Sequence, residues 1–483
     1  DWRIMLTFIL NPDHRLPLYQ QLYAFVRQEI ENRNLSPGQK LTSKRQLAAH
    51  LKVSLNTVAT AYEQLVAEGY IVARPKSGYY VAELDDVLPE KVIPPTEHSS
   101  ALKTEPLEAY RFDFKTNTVD ATFFPFPTWA KISREILNHG NRNLLRAVDP
   151  RGYYPLRLAI ADYVHQYRGV NCTPDQIIIG AGSEYLLGLA VQLLGRQSHY
   201  AVENPSYDKV YKVIRSNGAH VHLMNLDQDG VSLEALTASG ADILHLTPSH
   251  HFPLGIVMPV KRRMALLKWA KASPDRYILE DDYDSEFRFS GRPIPALQGL
   301  DTHDKVIYFN TFTRSLAPSM RISYMILPEK LLHKYCADFS FYSSTVPRFE
   351  QHTLHQFIAE GHFERHLTRM RKIYKIRRNK MLACIRQMSM ADAITISGEN
   401  AGLHLLLTVY GCTESELIAR AKNEGIRIYG LSEYCIDRAD NLPDNVVILG
   451  YASFNEDEIE TAIGLLEKAW SSIKPFRKGD YDG

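Results

Sequence analysis

Apolar residues recur at helical spacing through the first eighty positions. Leu18, Leu22, Phe25, Val26 and Ile30 share one face of the segment 16–32, the period of an amphipathic helix packed on a core. Ser36-Pro37-Gly38 would end that helix. A second helix is expected over 43–51, burying Leu47, Ala48 and Leu51. A third follows Ser54, a good N-cap, with Val58, Ala61, Tyr62 and Leu65 inward and Gly69 as its stop. Two short runs, 70–73 and 79–81, then flank a turn at 74–78, which is a hairpin pattern. Helix, helix–turn–helix and hairpin together predict a winged helix whose third helix enters a major groove. A three-helix protein-interaction module shares the core pattern but leaves the hairpin unexplained.

From residue 112 the pattern changes. Short apolar runs at 177–179, 200–202, 219–223, 243–246, 277–279 and 306–309 read as strands, with helical segments between several of them, notably 185–194 and 262–272. This alternation predicts an α/β fold with a mainly parallel sheet, whose ligands bind where strands end in loops. Between the two patterns, residues 82–110 are acidic and proline-bearing without periodicity. They read as an extended tether, stiffened at Pro94-Pro95, with a short helix at 99–109 as the alternative. The expected domains are therefore 1–81, a linker 82–110 and 111–483, with a small C-terminal subdomain over roughly 345–475.

Composition narrows the class. The 483 residues are 45% hydrophobic and 23% charged, as in a globular protein of more than one domain. No apolar run approaches a membrane span, and the N-terminal stretch lacks a small-residue cleavage pattern, so neither membrane insertion nor a signal peptide is expected. Five scattered cysteines without paired spacing suggest reduced thiols, a cytoplasmic setting and no zinc site. The net charge of +1 is uninformative, but residues 1–80 hold ten Lys and Arg against six Asp and Glu, a mild bias toward a polyanion.

Candidate chemistry follows from these elements. Ser54, Asn56 and Thr57 in the first turn of the third helix would face bases or phosphates. Arg45 would grip a guanine edge or a phosphate, and Lys76 at the hairpin tip would reach the backbone. In the large domain, the glycine-rich turn before Ser183 offers backbone amides to an anion. The exit from 306–309 presents hydroxyls at Thr311, Thr313 and Ser315 with Arg314 and Arg321, a set suited to a phosphate. An ordinary β–loop–β crossing with solvated arginines would also produce that stretch. The exits 203–207, 247–259 and 280–284 are loaded in the same way, with aromatic, imidazole, carboxylate, phenol and hydroxyl groups, and four such strand ends in chain order favour one pocket.

The stretch LTSKRQLAAHLKVSLNTVATAYEQLVAEGYI with SGYYV resembles the GntR-type winged-helix regulators. Thr42 stands where that family usually has Pro, and Leu55 where it usually has Arg, so the operator or its affinity is expected to differ. DPRGYYPLR, GAGSEYLL, TPSHHFPLG, EDDYDSEF and RISYMILP resemble the fold-type I aminotransferases that bind pyridoxal 5′-phosphate, and in particular the MocR subfamily, which fuses such a large and small domain to a GntR winged helix; the pattern is that of its GABA-sensing regulator. The resemblance implies a double-stranded DNA operator, an amino-acid-like or vitamin B6-type effector and a head-to-tail homodimer. It further implies that Tyr207 stacks on the pyridine ring and Asp281 pairs with the ring nitrogen. Tyr283 and His250 would sit near the phenolic oxygen, with Gly182, Ser183, Thr313 and Arg321 on the phosphate.

Two departures bear on function. Arg314 stands where the family has its Schiff-base lysine, and a guanidinium stays protonated and is a poor nucleophile. Ser453 stands where an arginine would clamp a substrate carboxylate, a loss that Lys209 could offset. The resemblance thus implies a non-enzymatic sensor domain that holds pyridoxal 5′-phosphate, its amine form or another anion non-covalently at most, with no aldimine at Arg314. The alternatives are a working aminotransferase with an accessory DNA-binding domain, or an engineered lysine-to-arginine variant.

Overall fold

The computed structural model describes residues 8, 10–11, 16–84, 110–116, 118–138, 142–289, 294–437 and 442–473. The chain divides into two compact units, Asp1–Leu107 and Glu108–Gly483. The expected tether, with Pro94-Pro95 and the optional helix at 99–109, lies outside the described residues except at its ends.

In the first unit the helices are Leu18–Glu31, Lys44–Leu51 and Leu55–Ala67, followed by the antiparallel strands Ile71–Arg74 and Gly78–Val81. Ser43 caps the second helix by accepting from the Gln46 N–H, and Ser54 caps the third by accepting from the Thr57 N–H at 3.0 Å, each satisfying a donor that a helix start leaves open. Leu22, Val26, Ile30, Leu47, Val58, Ala61, Tyr62 and Leu65 form the core, while Phe25 and Leu51 are only partly buried around it. Each fully buried aliphatic side chain here contributes about 1.5–3 kcal/mol. Tyr62 also donates its hydroxyl to the Thr42 carbonyl at 2.9 Å, tying the third helix to the entry of the second.

In the second unit an eight-stranded sheet runs in the order Ile177–Gly180, Ser323–Ile326, Val306–Thr311, Tyr277–Asp281, Ile243–Leu246, His199–Asn204, His220–Asp227 and Gly230–Val231. The pairings divide cleanly by direction. Val306–Thr311, Tyr277–Asp281, Ile243–Leu246, His199–Asn204 and His220–Asp227 are mutually parallel, as the alternating pattern predicts. Ser323–Ile326 is antiparallel to both of its neighbours. Strand alternation sends Ile243, Tyr277, Leu279, Ile307 and Phe309 to one face, where they pack with the helix Ser183–Leu194.

A smaller four-stranded antiparallel sheet, Ile394–Ser397, His404–Val409, Val446–Gly450 and Tyr429–Gly430, lies within the range expected for the C-terminal subdomain. The helices His362–Arg386 and Glu456–Trp470 pack on it around Trp470, Tyr374 and Tyr451. No described helix is long and apolar enough to cross a membrane.

Candidate functional site

The parallel strands end together, and their exits surround a cavity of about 250 Å³. Its lining includes Ser183, Tyr207, Lys209, Asp281, Tyr283, Thr313, Arg314 and Arg321. Eight of the residues singled out from the sequence, drawn from a span of 139 positions, therefore converge. Topology does this: Ser183 starts the helix Ser183–Leu194, Arg321 precedes the antiparallel strand Ser323–Ile326, and the others lie at or beyond the carboxyl end of a parallel strand.

Two cations and two hydroxyls, those of Lys209, Arg321, Ser183 and Thr313, share part of the lining. Gly182 holds φ +100° before that helix, and any side chain there would collide with the Arg321 guanidinium. Thr311 accepts from the Thr313 N–H at 3.1 Å and donates its hydroxyl to Thr313 Oγ1 at 2.8 Å, which leaves the Thr313 proton free to face the cavity. Arg321 donates through Nη2 to Glu184 Oε2 at 2.9 Å, and Lys209 Nζ lies 3.4 Å from Glu184 Oε1. Burial pushes the Glu184 carboxyl up, yet its own backbone N–H and Arg321 outweigh that and hold it below the usual range. Glu184 is thus shared between two cations, Arg321 and Lys209.

The lining also carries aromatic rings and acids. Tyr207 is partly exposed, with Lys209 Nζ 5.6 Å from its ring centre and Phe252 edge-on at 6.2 Å. Burial, reinforced by Asp282, raises Asp281 to about 7, although Arg314 pulls it down. His245, on the neighbouring strand and the same face, places Nε2 at 3.8 Å from Asp281 Oδ2; burial lowers this imidazole to about 4, so it is neutral. Glu203 is wholly buried at the cavity wall and pushed up to about 8 by that burial, although Thr247 donates to it twice.

The loop carrying Asp281 is fixed from behind. Arg168 binds Asp282 with two hydrogen bonds, Nε to Oδ2 at 2.7 Å and Nη2 to Oδ1 at 3.0 Å, and also reaches the Ile294 carbonyl and Ser249. Tyr308 donates to Asp282 Oδ2 at 2.6 Å. Burial raises Asp282, but Arg168 dominates and keeps it ionised.

Arg314 is the cavity's third cation. Its guanidinium carbon lies 5.5 Å from the Tyr283 ring centre, and burial lowers its pKa against the opposing pull of Tyr283 and Asp284. Among the described residues no carboxylate oxygen comes within 4.0 Å of it, the ion-pair distance met by Arg321 and Arg168. Lys209 is the only lysine among the described residues lining the cavity.

Two expected residues stand elsewhere. His250 does not line the cavity: it is buried behind Tyr283, with Nδ1 3.1 Å from the Tyr283 hydroxyl and 2.8 Å from Asp284 Oδ2. The turn at Gly402, φ +73°, packs directly on it, which holds it back. Ser453 is exposed between buried Ala452 and Phe454 and is not in the lining, because Arg377 takes the Ala452 carbonyl and pins the loop outward. Conversely, sequence reasoning passed over Glu184, His245 and Phe252 as site residues. Only His245 left a signal, as a polar residue inside the buried run Ile243–Leu246.

On the first unit, Arg45, Ser54, Asn56 and Lys76 are exposed and Thr57 is partly so. Lys76 takes φ +58° at the hairpin tip. The Ser54 hydroxyl lies 2.8 Å from that of Thr57, so both are engaged in the cap, and Arg45 and Asn56 are the freer groups.

Residues 18–81 match the family model for bacterial regulatory proteins of the gntR family, and residues 112–462 that for class I and II aminotransferases. The chain is 40% identical to the HTH-type transcriptional regulator YdeL of Bacillus subtilis, covering 96% of this chain and 99% of that protein. It is 33% identical to the probable rhizopine catabolism regulatory protein MocR of Rhizobium meliloti, covering 96% of each. With the pyridoxine biosynthesis transcriptional regulator PdxR of Corynebacterium glutamicum it shares 28% identity over 96% of this chain and 99% of that one. Among solved structures, the kynurenine aminotransferase of Pyrococcus horikoshii superposes with a TM-score of 0.65 at 23% identity, over 76% of this chain and 91% of that one. LysN of Thermus thermophilus, solved with N-(5′-phosphopyridoxyl)-L-leucine, gives 0.63 at 23% identity, over 76% and 93%. These last two likenesses speak for the fold.

Proposed function

Since the chain belongs to the MocR-type, gntR-family transcriptional regulators that carry a class I and II aminotransferase domain, we propose that it binds operator DNA through its winged helix and senses a small anionic ligand in a cavity that does not transaminate. The observation that carries the second half is the cavity's supply of nitrogen. Its one lysine, Lys209, is ion-paired with Glu184, and the cation beside Tyr283 is Arg314. A guanidinium does not shed its proton at working pH, so it neither attacks a carbonyl nor shuttles protons.

The residues lining the cavity suit a vitamin B6 phosphate held without covalent attachment, with Tyr283 and not His250 left to face the phenolic oxygen. Ser183, Thr313, Arg321 and the helix start would hold the phosphate. Tyr207 offers a ring face, and Asp281, beside neutral His245, offers a carboxyl that titrates near neutrality to a ring nitrogen. Such a group, when bound, supplies an electron sink. This chain's part is to bind and orient it. A relative named for pyridoxine biosynthesis points to the same ligand class. Sensing then requires that the ligand favour one arrangement of the chain over another.

For the DNA-binding half we assign Arg45 and Asn56 to base or phosphate contacts and Lys76 to the backbone. We take the working form to be a cytoplasmic head-to-tail homodimer. The test is a titration of the purified protein with pyridoxal 5′-phosphate followed by near-UV absorbance and by retardation of operator DNA. Saturable binding that shifts DNA affinity without covalent capture supports the reading. No saturable binding overturns it.

A further inference from the structure

Charge in the cavity is unevenly paired. Lys209 and Arg321 share Glu184, whereas Arg314 has no carboxylate within 4.0 Å among the described residues and rests only on the face of Tyr283. Arg314 is half-buried, so its guanidinium is partly withdrawn from water with no carboxylate beside it, and that withdrawal lowers its pKa. The nearby acids do not close the gap. Asp281 is raised toward 7 and sits against His245, and Asp284 is held by His250 Nδ1 at 2.8 Å.

We propose that Arg314 is a carboxylate receptor, and that the cavity takes a ligand with a phosphate at one end and a carboxylate at the other. Planar guanidinium matches a carboxylate with two parallel hydrogen bonds, which an amine cannot do. Ser183, Thr313 and Arg321 supply the phosphate site, and Arg314, on the face of Tyr283, lines the same cavity with Tyr207 and Asp281. This assignment rests on the reading that the cavity takes a phosphate-bearing ring, and names the second anion that such a ligand carries. Ser453 gives the proposal room: it is exposed and outside the lining, so it does not offer a rival carboxylate site.

The test compares two stable probes that differ only in the carboxylate: N-(5′-phosphopyridoxyl)-L-leucine and its decarboxylated counterpart, N-(5′-phosphopyridoxyl)-3-methylbutylamine. Their dissociation constants are measured by calorimetry on the full chain, on Arg314→Gln and on Arg314→Met. The expected result is about tenfold or more tighter binding of the carboxylate probe to the unaltered chain, falling to less than about twofold in either variant. In the variants the decarboxylated probe should still bind saturably, which shows that the pocket is intact, and the ratio of the two constants within each protein is the quantity compared. Equal affinities in the unaltered chain overturn the proposal while leaving the phosphate-ring reading in place. A preference that persists in both variants also overturns it, because the carboxylate then binds elsewhere. Failure of both probes on the unaltered chain removes the underlying reading and this proposal with it.

Discussion

Thr247 gives both its backbone N–H and its hydroxyl to one oxygen of Glu203, Oε2, each at 3.0 Å. The other carboxyl oxygen receives neither, and burial raises the group to about 8. Glu203 is therefore carried into the folded state as a neutral acid. Its contribution is complete below the ordinary carboxyl value near 4.5 and is lost as pH rises through about 8. Glu203→Gln keeps the shape and an acceptor for Thr247 but cannot ionise. The variant should gain on the unaltered chain as pH rises from 5 to 8.5, by about 2–4 kcal/mol at the upper end. Thermal melts across that window measure it. A difference that does not change with pH would show that Glu203 is not protonated in the fold.

Arg168 and Asp282 form a pair that holds the acidic loop from behind, with a 2.7 Å bond at its centre. Removing one partner strands the other charge in the interior. Arg168→Ala should cost about 3–5 kcal/mol, read by urea unfolding. Loss of well under 1 kcal/mol would mean that water reaches the Asp282 carboxylate.

Glu184 competes with any incoming phosphate for Arg321 and Lys209. Glu184→Gln should tighten pyridoxal 5′-phosphate by about two- to fivefold, the scale of a partly exposed ion pair. Pyridoxal, without the phosphate, should be unaffected. Fluorescence titration of both ligands separates these outcomes, and equal gains for the two would count against a phosphate at this site.

Arg45 is exposed at the start of the helix Lys44–Leu51. Arg45→Ala should weaken operator binding and, if the contact is to a phosphate, lower the slope of log affinity against log salt by about one. A weakening confined to one operator sequence with an unchanged slope would instead assign Arg45 to a base. Unchanged binding removes it from the interface.

Much of this was legible in the chain because burial leaves a local trace. The runs at 243–246 and 306–309 are strands whose side chains are buried on both faces of the parallel part of the sheet, and 177–179 is equally buried on its antiparallel edge. Boundaries were less so. Val306–Thr311 extends past Phe309 because Asn310 and Thr311 pair with Tyr324 and Ser323, partners that a local pattern does not contain. The pocket's charge pairing was not legible either: Glu184 meets Arg321 across 137 positions. The placement of His250 depends on Gly402, a turn of the small sheet's subdomain, and Ser453 on a carbonyl bond from Arg377. Resemblance supplied residue types for those positions and folding decided where they stand.

We propose that the cavity binds its ligand without covalent capture, the cation beside Tyr283 being a guanidinium, Arg314, and not an amine. The direct measurement is peptide mass mapping after saturation with pyridoxal 5′-phosphate and borohydride reduction, on the unaltered chain and on Arg314→Lys. The account predicts saturable binding with no reduced adduct on any cavity peptide of the unaltered chain, and an adduct at position 314 in the variant. A stoichiometric adduct on a cavity residue of the unaltered chain, Lys209 included, would contradict it.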